Sequence, residues 1–275
     1  MMRRPVRRTV RTDEVMGTVA SIHVIGDAGL DDVESAVQDC FGRLHLADRL
    51  FSTYLDDSEI SRLRRGSLEL DHVDAQVAAV HRACVEAKAF TGGLFDAWHQ
   101  GWFDPTGYVK GWAAENAARE ALLPLVGRPG VQAAALNVGG DMQLFTAPGS
   151  GWVWRVGITD PRHPDSVLAT VEVVDGAVAT SGSAERGPHI VDPRTGSTEL
   201  SVVSATVVAD RLTTADLWAT TAAIAGFDDL SWIGAPGVRS GLVVSPSGRV
   251  RRWAEGVEIT SSREPLAGML SAPGA

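Results

Sequence analysis

Two hydrophobic periods alternate along this chain without settling into a repeating strand–helix–strand rhythm. Residues 15–25 are rich in β-branched side chains and are closed by Gly26-Asp27, the pattern of a strand. Beyond Asp31 and Asp32, which suit a helix start, Val33, Val37, Cys40, Phe41, Leu44 and Phe51 recur at helical spacing. A second helix is expected over 74–90, with Val77, Val80, His81, Cys84 and Val85 inward and Gly92-Gly93 as its stop. The alanine-rich segment 111–123 reads as a third, and 212–226 as a last long one. Strand signals fall at 136–145, 154–159, 168–174, 176–180 and 200–208, and a pair at 241–244 and 250–253 flanks a turn at Pro246 and Gly248. A regular βα repeat would impose a parallel sheet. Its absence points to an α+β fold of mixed or antiparallel sheets with flanking helices.

Composition removes several function classes. A formal net charge of −9 is the wrong sign for a general nucleic-acid binder, which needs a basic surface. No apolar run approaches the roughly 20 residues of a membrane-spanning helix. The basic start, Arg3-Arg4-Pro5-Val6-Arg7-Arg8, is followed by no apolar stretch and no lipid-accepting cysteine. Cys40 and Cys84 both lie in helical patterns and read as buried free thiols, which fits a reducing compartment; the expected location is cytoplasmic. The chain divides into an extended or disordered arm (1–14), one domain (15–260) and a flexible tail (261–275).

Familiar catalytic signatures are missing: no GxxxxGK[ST] loop, HExxH helix, GxSxG elbow or CxxC pair occurs. Four stretches carry usable chemistry. Asp210 and Thr214 are four apart at the start of the last helix, so one face would present a carboxylate and a hydroxyl. Both are hard oxygen donors suited to Mg2+, although on spacing alone the pair also reads as a helix cap and a surface residue. His189 precedes Ile190-Val191-Asp192-Pro193-Arg194-Thr195-Gly196, a turn-forming run, and titrates where a hydroxyl can be activated. Thr180-Ser181-Gly182-Ser183 offers small hydroxyl residues after a strand, where a phosphate can approach backbone or where a simple turn lies. In Phe103-Asp104-Pro105-Thr106-Gly107-Tyr108-Val109-Lys110-Gly111, an acid and a base flank a glycine turn that enters a helix.

The order of these pieces is more specific than any one of them. Met16-Gly17-Thr18, Ser52-Thr53-Tyr54, Thr91-Gly92-Gly93-Leu94-Phe95-Asp96, the stretch from Asp104 to Gly111, Asn137-Val138-Gly139-Gly140-Asp141, Thr180-Ser181-Gly182, the His189–Gly196 block and Ala209-Asp210 follow one another. The series resembles the ApbE family of FAD:protein FMN transferases, from about residue 15 to 226. The resemblance implies an α+β fold with FAD in a cleft between subdomains. It implies Mg2+ held by Asp210, Thr214 and the backbone carbonyl of Gly107. It places Met16, Tyr54, Leu94, Phe95, Asp96, Asp104, Lys110, Ser181 and Val191 at the FAD site, and His189 and Asp210 at the reacting phosphate.

The implied reaction is attack by a Ser or Thr hydroxyl of an acceptor protein on the FMN-side phosphorus of FAD, with AMP leaving. The same residues would also serve an FAD pyrophosphohydrolase or a silent flavin binder. Two departures from the family pattern stand out. Asp96 and Asp104 are eight residues apart where typical members have several tens, so cover on that side would come from Trp98, His99 and Trp102. Pro105 follows Asp104 where a leucine is usual, which restricts the backbone of Asp104.

Overall fold

The computed structural model describes residues 6–27, 29–182 and 190–260. Their centre is a nine-stranded sheet in the order β1-β2-β3-β4-β7-β8-β9-β10-β11, and every pairing in it is antiparallel. The strands are β1 (Arg8–Val15), β2 (Thr18–Gly26), β3 (Val131–Val138), β4 (Asp141–Thr146), β7 (Gly176–Gly182), β8 (Ser204–Ala209), β9 (Val238–Val244), β10 (Val250–Ala254) and β11 (Val257–Glu258). β5 (Trp154–Asp160) and β6 (His163–Val173) form a separate two-stranded ribbon. The helices are α1 (Leu30–Phe51), α2 (Glu59–Arg64), α3 (Ala75–Phe90), α4 (Thr106–Ala121), α5 (Leu123–Val126) and, after β8, α6 (Leu212–Ala225).

Alternation along the strands builds three layers. Ala20, Ile22, Ala134, Leu136, Ala179 and Val207 face the helices and join one core with Leu44, Ala114, Ala118 and Ala219. Their neighbours Ala133, Ala135, Leu144, Val178 and Val208 face the other way and are covered by Trp154, Val156 and Val173 of the ribbon. Alanines on both the strands and the facing helices keep the layers close. The expected α+β class with antiparallel strands and flanking helices is what the chain adopts.

Several local expectations shift. Residues 15–25 form the end of one strand and most of the next, because Met16 and Gly17, both at positive φ, make a two-residue turn. The sheet therefore starts at Arg8, inside the stretch assigned to the N-terminal arm. Residues 136–145 likewise split into β3 and β4 around Gly139-Gly140. Asp31 and Asp32 lie in the first turn of α1, where their charge suits the helix dipole, but Gly29 holds the N-cap. Val85, expected inward, is exposed, since α3 packs by Val77, Val80, Cys84 and Ala87. Helix α4 begins five residues early, at Thr106. The tail 261–275 lies outside the described residues.

Candidate active site

A cavity of about 820 Å3 opens where the β1–β2 turn, the end of α1, the 94–104 loop, the start of α4 and one face of α6 converge. Its wall at one end is apolar. Met16 stands at the β1–β2 turn with φ +54, its amide donating to Asp48 Oδ2 at 3.3 Å. Tyr54, just past α1, is 94% exposed and also lines the cavity. Leu94 and Phe95 follow the Gly92-Gly93 stop of α3 and, with Val191, line the cavity.

The 94–104 loop is short but well anchored. Thr91 Oγ1 accepts the Phe95 amide at 3.0 Å, and Asp96 Oδ1 accepts that of Trp98 at 2.9 Å. Burial opposes ionisation of Asp96, yet the Lys88 ammonium at 2.8 Å and the Trp98 amide hold its carboxyl below the usual range. His99, Gln100 and Asp104 line the cavity, while Trp98 and Phe103 pack edge-on around His81 below it. Trp102 turns away under the Arg64 guanidinium. Asp104 Oδ1 accepts the Thr106 amide at 3.0 Å and so steers the chain into α4 despite Pro105.

The other end of the cavity is polar and largely buried. Lys110, on α4, forms an ion pair with Asp141 and lies 3.5 Å from Asp216 Oδ1. Asp141 is 1% exposed and accepts the Thr180 amide at 3.0 Å. Burial pushes its carboxyl up, the Asp216 charge adds to that, and Lys110 pulls back. Asp216 Oδ2 accepts the Gly111 amide at 2.9 Å, and Thr220 Oγ1 lies 3.0 Å from Ser181 Oγ. Asp216, Thr220, Ser181, Lys110 and Gly107 all line the cavity.

Met16, Tyr54, Leu94, Phe95, Asp96, Asp104, Gly107, Lys110, Ser181 and Val191 thus meet in one cavity. Asp210 and Thr214 do not line it. Asp210 sits at the end of β8, 57% exposed, and accepts Arg239 Nε at 2.6 Å. It does not cap α6 either, because Arg211 holds that position. Six residues further on, Asp216 and Thr220 repeat the same separation and do line the cavity. His189 lies outside the described residues. The choice between the two pairs was open in the sequence, because a four-residue spacing fixes a shared face but not which face. A usable signal was that Asp216 interrupts an apolar helix, where a carboxylate is costly unless engaged.

The donor set fits Mg2+. Two carboxylates face one ammonium in a buried corner, and a hydroxyl and a backbone carbonyl stand beside them, all hard oxygen ligands. An α-helix pairs the amide of residue 111 with the carbonyl of Gly107, and that amide also reaches Asp216.

Fold and site together define, among the described residues, an antiparallel α+β protein with a cleft of about 820 Å3 that joins apolar and charged walls. The family model of the ApbE family matches residues 16–104 and 99–238, and the chain belongs to that family. It is 37% identical over 153 residues to the FAD:protein FMN transferase of Rhodobacter capsulatus, covering 52% of this chain and 28% of that protein. It is 32% identical over 121 residues to that of Escherichia coli K12, covering 40% and 33%. A longer match, 24% identical over 276 residues, covers 79% of this chain and 81% of the Vibrio cholerae FAD:protein FMN transferase. Among solved structures, the ApbE protein of Thermotoga maritima superposes with a TM-score of 0.74 at 20% identity, covering 90% of this chain and 97% of that one. These structures share the fold.

Proposed function

We propose that this protein transfers FMN from FAD to a Ser or Thr hydroxyl of an acceptor protein, forming a phosphoester and releasing AMP. The observation that carries the reading is the single cavity that unites Met16, Tyr54, Phe95, Asp104, Lys110 and Ser181 with the buried Asp141–Lys110–Asp216 group. Tyr54, Met16, Leu94 and Phe95 would hold the ring system, and Lys110, Thr220 and Ser181 would face the pyrophosphate. Asp216, Thr220 and the Gly107 carbonyl would hold Mg2+, in place of Asp210 and Thr214. Bound there, Mg2+ would offset charge on the pyrophosphate oxygens.

The chain's own residues then have defined tasks. Asp141 accepts from Lys110 and so fixes the ammonium between the carboxylates and the ligand. The anchored 94–104 loop would cover one side of the bound ligand. As the acceptor oxygen bonds to the FMN-side phosphorus, the bond to the AMP oxygen breaks and the hydroxyl proton must leave. His189 is the group proposed to take it; Ile190 and Val191, next in sequence, line the cavity.

Among the described residues no helix is long and apolar enough to cross a membrane. A cytoplasmic location is part of the proposal, supported by two free, buried thiols whose burial pushes each up to about 12. The test is incubation with FAD and Mg2+, with and without a domain bearing a Ser/Thr flavin-acceptor motif, followed by mass spectrometry and nucleotide analysis. An FMN adduct on the acceptor with AMP release, both lost with EDTA, supports the transferase. Free FMN and AMP without an adduct would show a hydrolase, and FAD binding without turnover a silent binder.

A further inference from the structure

Helix α6 carries Asp216 and Thr220, yet it starts without a cap of its own: Arg211 holds the N-cap position and makes no side-chain cap bond. The first amides of a helix have no partner within it. Here two buried side chains from other elements accept them. Gln143 Oε1, from β4, accepts the Leu212 amide at 3.1 Å while its Nε2 donates to the Gly176 carbonyl at 2.9 Å. Glu115 Oε2, from α4, accepts the Thr213 amide at 3.0 Å and the Thr213 hydroxyl at 2.7 Å, and its other oxygen pairs with Arg211. Glu115 is 0% exposed.

One turn before Glu115 on α4, the Gly111 amide donates to Asp216 at 2.9 Å. The two helices are therefore joined twice, at Gly111–Asp216 and at Glu115–Thr213, the residue numbers rising along one helix as they fall along the other. A one-residue slip moves a helix by about 1.5 Å and turns it by about 100°. With both tethers made, neither motion is open to α6. Stability alone does not call for such a group, since an apolar residue replacing a buried ion pair is often neutral or better. What the carboxylate adds is direction.

We propose that Glu115 is a positioning residue: by capping α6 across the α4–α6 contact, it fixes the aim of Asp216 and Thr220 at the metal. This rests on the proposed function. The test is the Mg2+ affinity of the EDTA-stripped protein, read by calorimetry, with metal-free FAD affinity and circular dichroism measured beside it. Partners behind metal ligands typically contribute about 10- to 100-fold in metal affinity, and Glu115→Ala is expected to lose that much while binding metal-free FAD as the parent does. Glu115→Gln, which keeps an oxygen for Thr213, is expected to recover most of the loss. Thr213→Val removes only the hydroxyl bond at a half-buried position and is expected to weaken Mg2+ by a smaller factor; it decides the matter should Glu115→Ala fail to fold. Unchanged Mg2+ affinity in these variants would overturn the proposal, as would an equal loss of FAD affinity, which a general loosening of the fold would produce. A parent protein that binds no Mg2+ would instead overturn the metal reading beneath it.

Discussion

Met16 shows most plainly what single residues contribute. A two-residue turn with both residues at positive φ favours Asn-Gly, yet this chain has Met16-Gly17, with φ +54 and +68. A non-glycine residue there costs on the order of 1–3 kcal/mol, and such strain is retained where the side chain is used. Met16→Asn is therefore expected to leave the melting temperature within about 4 °C of the parent, since turn relief offsets the lost packing. The same variant should weaken FAD binding in a fluorescence titration; unchanged affinity would remove Met16 from the site. Met16 was legible in sequence only through the order of motifs around it, because its turn was hidden inside one continuous β-branched run. Asp216 is hard to single out for the opposite reason: an identical spacing six residues earlier, on more polar residues, favours Asp210 and Thr214.

Between elements, the decisive contact is α4 on α6. A Cβ placed on Gly111 would lie 2.7 Å from Asp216 Cβ and 3.1 Å from the Leu212 carbonyl, so the helices approach as closely as they do only with glycine there. Gly111→Ala is expected to cost about 1–3 kcal/mol in urea unfolding, by overpacking, and to reduce Mg2+-dependent turnover further than stability alone accounts for. Loop 94–104 and α3 meet at His81, half-buried edge-on to Trp98 and Phe103. Burial, with Arg82 adding to it, holds His81 below its ordinary pKa. The unfolded chain then binds more protons than the folded one, so His81 contributes stability that is full above the unfolded value of about 6.5 and is lost as pH falls from there through the lower value of the folded chain. Replacing it with glutamine should flatten the fall in melting temperature between pH 7 and 5; an identical profile would exclude His81 as a contributor. The long helices α1, α3 and α6 with its Gly226 stop are readable in the sequence, whereas the short α2 and α5 and the start of α4 are not. Contacts such as Glu115 with Thr213 were not, because the two lie 98 residues apart in the chain.

At the scale of the whole molecule, the α+β class followed from irregular strand spacing, while strand order and the two-faced burial of the sheet did not. Pairing β4 with β7 and wrapping β5–β6 over the back are long-range choices that period-2 alternation permits without specifying. Removing the ribbon's anchor with Trp154→Ala is expected to cost about 3–5 kcal/mol, with the cavity side little affected; a comparable loss of FAD binding would show that the layers are coupled. The sheet's other face carries the cavity, and substitutions near and on α6 separate the two candidate metal pairs. The measurement is FMN transfer to an acceptor domain in the presence of FAD and Mg2+, followed by intact-protein mass spectrometry, for the parent, Asp216→Ala and Asp210→Ala. An FMN adduct is expected with the parent and with Asp210→Ala, and none with Asp216→Ala. An adduct that survives Asp216→Ala, or that disappears only with Asp210→Ala, would contradict the assignment to Asp216.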